Sequence, residues 1–137
     1  MKAVLPGALL ILVSATANAH HSHPEFLMNK DATVQGTIES IHFTNPHVVM
    51  TLRTVDTIVY TIEWQSALWL ASEPAVFVTP ANGPVTDESL HVGDYVIVVG
   101  APPRDPSRHE LVVLKSVHRP ADGWTWTCRR PSFRYNC

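Results

Sequence analysis

Between Thr33 and Phe43 the apolar side chains change sides. Val34 and Ile38 share one parity, whereas Ile41 and Phe43 share the other. Side chains alternate between the two faces of a strand, so a single regular strand cannot place both sets on one side. The phase change predicts a bulge or a sharp bend within this first strand. Turn residues follow at Thr44-Asn45-Pro46, where Pro fixes φ and Asn favours a turn.

The later segments carry the same β character. His47 to Thr54 reads as a second strand with Val48, Met50 and Leu52 on one face. Asp56 and Thr57 punctuate it, and Ile58 to Trp64 reads as a third strand with Ile58, Tyr60, Ile62 and Trp64 together. Gln65 to Ser72 is a short helix candidate whose Leu68, Trp69 and Ala71 could plug one end of a barrel, with Trp64 and Trp69 filling the core. A Pro-rich irregular stretch runs from Glu73 to Val85, and Thr86 to Leu90 reads as a brief helical turn. His91-Val92-Gly93-Asp94 turns into a fourth strand, Tyr95 to Val99, and Leu111 to His118 makes a fifth. Five short strands, a bent first strand and a helical insert between the third and fourth predict an all-β, OB-like, partly open barrel. A β-sandwich usually needs about seven strands, more than the pattern supplies.

The first nineteen residues are read apart from the fold. Lys2 is a positive start, Val4 to Val13 is a short apolar run, and Ala17-Asn18-Ala19 is a small-x-small cleavage site. The run falls short of the roughly 20 residues that span a bilayer. A cleavable signal over 1–19 is therefore expected, with a periplasmic or secreted product and no membrane insertion after cleavage. The domain is expected over 20–118, and 119–137 reads as a C-terminal tail. Without Lys2, nine Lys and Arg face twelve Asp and Glu, a net charge of −3. A mildly acidic exported chain argues against nucleic acid as a partner. Cys128 and Cys137 could close one terminal disulfide in an oxidising compartment; free thiols or an intermolecular bridge are the alternatives.

Cleavage after Ala19 would leave His20-His21-Ser22-His23 as the start. The free amine and the imidazole of His20 would form a chelate within one residue, and His21 and His47 could complete a nitrogen set. Such ligation suits copper(II) best, with zinc and nickel next. Asn45 could orient His47 by a hydrogen bond, His23 is an additional candidate ligand, and the thioether of Met28 or Met50 could serve copper(I). Trp124 and Trp126 follow Asp122-Gly123 and could form an exposed aromatic flap. That flap and the barrel face would suit a different role, an accessory module for a periplasmic protein or small ligand without metal. No nucleophile elbow, P-loop or HExxH motif occurs, so enzymatic activity is not the leading expectation. A small amino-terminal-histidine oxidase is the third and weakest alternative.

The chain also resembles domain-of-unknown-function family 6152, a group of small exported bacterial proteins. The resemblance rests on Ala19-His20-His21-Ser22, Gly36-Thr37-Ile38, Phe43-Thr44-Asn45-Pro46-His47 and Ser89-Leu90-His91-Val92-Gly93-Asp94. It implies a periplasmic β-barrel domain over roughly residues 19–118 and supplies no activity. The chain departs from the family pattern in its Pro-rich insert at 73–85, its Cys-bearing tail and the imidazole at His23.

Overall fold

The computed structural model describes residues 23–72 and 84–128. In chain order the elements are β1 (Ala32–His42), β2 (Val49–Arg53), β3 (Val59–Glu63), α1 (Ala67–Ser72), β4 (Tyr95–Ala101), β5 (Glu110–Arg119) and β6 (Trp124–Thr127). The sheet order is β3-β2-β1-β4-β5-β6. A parallel pairing of Thr61 with Glu110 and Ile62 with Leu111 joins β3 to β5 and closes the first five strands into a barrel. The OB-like plan therefore holds, but the barrel is closed rather than partly open.

β1 bends where its pattern changes phase. Val34 and Ile38 are buried, the pairing with β2 slips between Ile38 and Ser40, and Ile41 and Phe43 then pack against the same core. The extra residue lets β1 pair with β4 through Ala32–Thr37 and with β2 through Thr37–His42. Gly36 sits at this exchange. A Cβ there would stand 2.5 Å from the carbonyl oxygen of Arg53, so the close passage of the two backbones requires glycine.

Val48, Met50 and Leu52 are all fully buried, as their alternation predicts. In β3 and just beyond its end the inward face holds Ile62 and Trp64, while Ile58 at the hairpin end is 37% exposed. The helix also departs from expectation. Leu68 is 70% exposed and Leu70 is the buried plug, with Trp69 half-buried against the core. Ser66 caps the helix by accepting the Trp69 N–H, and Leu70 N–H bonds back to Ser66 O. α1 thus starts at Ala67, two residues after Gln65, with Leu70 as its buried residue.

The C-terminal strand carries the largest correction. Asp122-Gly123 is not the base of a flap but the turn of a hairpin, with Gly123 at φ 77°. β6 pairs with β5 from Arg119↔Trp124 to Ser116↔Thr127. Alternation sends Trp124 and Trp126 inward, 6% and 1% exposed, and Trp126 meets Trp64 edge-to-face at 5.0 Å. The sheet thus continues past residue 118, into the segment read as a tail. Cys128 is buried just beyond β6. Its expected partner, Cys137, lies outside the described residues, as do the segment read as a signal, the Pro-rich residues 73–83 and the rest of 129–137.

Candidate functional site

The family-like turn around Asn45 is built by helix capping. The first helical N–H groups have no partner within their own helix. Ala67 N–H donates to Thr44 O, Leu68 N–H to Asn45 Oδ1, and Trp69 N–H to Ser66 Oγ. Asn45 therefore ties the turn to α1. This corrects the expectation that it orients His47.

The orienting groups of His47 come from β3 and its continuation. His47 Nδ1 lies 3.2 Å from the carbonyl oxygen of Trp64 and 3.5 Å from Glu63 Oε1. A carbonyl oxygen can only accept a hydrogen bond, so the bond requires the proton on Nδ1. In the neutral ring Nε2 then keeps its lone pair, which is the form that can ligate a metal. The imidazole is about one quarter exposed, so it sits at the barrel rim rather than in the core.

The amino-terminal segment comes to the same place. Phe26 is 4% exposed and packs with Ala101 and Val112 in a small second core, with Met28 against its edge. Leu27 N–H bonds to Pro102 O, Arg104 N–H to Glu25 O, and the Arg104 side chain donates through Nε to Pro24 O at 2.7 Å. The guanidinium of Arg108 lies 5.2 Å over the Phe26 ring. Residues 23–30 are thus strapped to the loop before β5. The strap sets His23 Nε2 3.8 Å from Glu63 Oε1.

Glu63 is accordingly flanked by two imidazoles. Below it opens a cleft of about 230 Å³ whose lining includes His23, Phe26, Thr61, Arg108 and Glu110. The cleft lies along the β3–β5 seam, where only two residue pairs join the strands. Arg108 forms an ion pair with Glu110 across its wall.

The structure therefore brings together His23, His47 and Glu63, while His20 and His21 lie outside the described residues. Among the described residues, no group of three or more His, Cys, Asp or Glu side chains is arranged to hold a metal ion. Met50 is fully buried beside Val48 and Leu52 and is a core residue. The remaining histidines lie elsewhere: His42 is exposed, His91 is near Glu88, His109 packs on Tyr60, and His118 bonds Thr125. Trp124 and Trp126 are enclosed in the core and offer no stacking face.

Glu63 is the residue that the sequence reading passed over. A usable signal existed in the hairpin register. A turn at Asp56 pairs Val49 with Glu63, and His47 lies two residues from Val49 on the same face.

Other family-like residues serve the barrel itself. Gly93, at φ 97°, donates its N–H to Ile38 O, and Ile38 N–H returns a bond to Asp94 O. His91 N–H donates to Asp94 Oδ2, and Arg119 bridges Asp94, Asp122 and the Ser89 carbonyl. Burial opposes ionisation of Asp94, but the His91 N–H and Arg119 outweigh it and lower its pKa. Asp122 is held down to about 2, first by its hydrogen bond from Arg119 and then by the Trp124 N–H.

Together these features define a small closed β-barrel with a docked amino-terminal strap and an imidazole–carboxylate cluster on its rim. The chain belongs to a family of unknown function, DUF6152, whose model matches residues 8–112. Neither the curated proteins nor the solved structures yield a match. β6 lies beyond the matched residues. No described helix is long and apolar enough to cross a membrane.

Proposed function

We propose that this protein is an exported, non-enzymatic binder of a transition metal, copper in preference to zinc or nickel, and that its processed amino terminus supplies the primary ligands. On this reading the signal is removed after Ala19. The His20 amine and ring, the His21 ring and His47 Nε2 hold the ion, and His23 is a further candidate. An amine with several imidazoles favours copper(II) in the usual affinity order.

The observation that carries the reading is the His47 hydrogen bond to the Trp64 carbonyl, which leaves Nε2 as the lone-pair nitrogen. The strap supports it by holding His23 beside Glu63. Three chain steps separate His20 from His23, a reach of at most about 11 Å.

The test is a copper(II) and zinc(II) titration of natively exported protein, with intact mass establishing that it begins at His20. Stoichiometric binding that is lost in His47→Ala is the expected result. Weak binding indifferent to His47→Ala would contradict the reading and favour a metal-free accessory module acting through the rim cleft.

A further inference from the structure

We infer that the amino-terminal strap is a latch on the barrel wall. Docked, it holds the β3–β5 seam shut; undocked, it lets the seam part and the rim cleft widen. The inference concerns the barrel alone and stands whether or not a metal binds.

Three observations carry it. The first is that the seam is the weakest join of the closed barrel. β2 and β3 pair along five residues and β1 and β4 along six, whereas β3 and β5 pair only at Thr61↔Glu110 and Ile62↔Leu111. Thr61 N–H crosses the seam to His109 O at 2.9 Å.

The second is that the strap grips the β5 side of the seam at both ends. Glu110 and Leu111 stand between Arg108 and Val112. The Phe26 ring lies 5.2 Å from the Arg108 guanidinium and packs with Val112, so one side chain holds both flanking residues. The strap backbone pairs with the preceding loop through a bridge of Phe26 to Pro103, with Leu27 N–H on Pro102 O and Arg104 N–H on Glu25 O. His23, Glu25 and Phe26 line the same cleft as Thr61 of β3.

The third is that the strap's anchorage is separate from the barrel core. Phe26, Ala101 and Val112 form a cluster of their own. The cluster exists because the β4–β5 pairing slips between Val99↔Ser116 and Ala101↔Val112. Leu111 and Leu114 then join the barrel core while Val112 joins Phe26. Val113 carries the distortion at φ 49°, a left-handed conformation that a β-branched residue keeps only where its surroundings impose it. Val113 packs against the Phe26 cluster, so the docked strap is one of those surroundings.

A segment held by few buried groups opens at a lower free energy than the whole fold. Without Phe26, Arg108 and Val112 lose their common anchor and the bulge is released from one of its constraints. Glu110 and Leu111 then carry the seam unaided. Parting exposes unpaired backbone of β3 and β5 along the cleft of about 230 Å³, edges that can pair with an extended segment. The strap thus governs whether this wall of the cleft is closed by its own hydrogen bonds.

Amide hydrogen exchange, read by NMR on the full natively exported protein, tests the latch. Thr61 N–H reports the seam, whereas Trp64 N–H on Val48 O and Ile38 N–H on Asp94 O report the rest of the barrel. In Phe26→Ala, exchange at Thr61 should rise on the order of 100-fold relative to the two other amides, the local counterpart of losing a buried Phe. Arg104→Ala removes the exposed side-chain bond to Pro24 O and leaves both cores intact, so it keeps the test open should Phe26→Ala not fold. It should give a smaller rise at Thr61 and none at Trp64 or Ile38. Equal rises at all three amides would mean that the strap adds only to global stability. An unchanged Thr61 in a folded variant would mean that the seam holds without it. Either result would overturn the inference.

Discussion

The Nδ1 of His47 faces the carbonyl oxygen of Trp64 at 3.2 Å, and this contact fixes which ring nitrogen is left for chemistry. The two residues meet because β2 and β3 form one hairpin whose ladder continues past both strand ends. Val48 N–H donates to Gln65 O, and Trp64 N–H to Val48 O. A core strand pair thus extends outward to set the tautomer of a rim histidine.

The crossing of β1 and β2 predicts a first stability result. Gly36→Ala places a Cβ 2.5 Å from Arg53 O and 2.8 Å from its carbonyl carbon, both backbone atoms that cannot swing aside. Overpacking of this kind costs about 1–3 kcal/mol. Urea denaturation should show a lower midpoint with an unchanged slope. A midpoint equal to that of wild type would mean that the two backbones can part without cost.

Much of the barrel can be read in the sequence because its signals are local. The phase change in β1 becomes a bulge at the predicted place, and Val48, Met50 and Leu52 all face inward. What escapes is settled by pairing at a distance. Trp124-Thr125-Trp126 alternates like any half-buried strand, and only its pairing with β5 decides that both indoles face the core. Asn45 has the chemistry to orient a neighbouring imidazole, yet α1 begins close by with unpaired N–H groups and claims its side chain. Glu63 has no partner within its own segment, and its importance appears only when the strap and the hairpin meet around it. Strand interiors are therefore legible from periodicity, whereas a site assembled from three separated segments is not.

The strap makes a second prediction. Phe26→Ala removes the ring that packs with Ala101 and Val112 and lies beneath Arg108. Loss of a buried Phe side chain costs about 3 kcal/mol. Because Phe26 also anchors the path to His23, metal affinity should fall although no ligand is altered. Calorimetry and metal titration on the same variant check both effects. Lowered stability with unchanged affinity would separate the strap from the site.

The Arg119 cluster gives a third prediction, with a defined sign. Asp94 and Asp122 both have depressed folded-state pKa values, Asp122 to about 2. Depressed carboxylates stabilise the fold above their ordinary value near 4, and this stabilisation is lost as pH falls through the folded value. Wild type should therefore exceed Arg119→Met in stability at pH 6, and the gap should shrink between about pH 4 and pH 2. Urea melts of both proteins across that range read the gap directly. A gap that is constant with pH would assign the effect of Arg119 to packing on Trp124, 5.8 Å from its guanidinium, rather than to charge.

The central claim concerns the amine of His20, and adding one residue ahead of it tests that claim most directly. The two proteins, starting at His20 and at an added Gly, keep every imidazole and differ only in whether the amine and the His20 ring belong to one residue. Copper(II) titration of both, with intact mass confirming each start, should show tight one-to-one binding for the first and a large loss for the second. Equal affinity in the two proteins would contradict a terminal metal site.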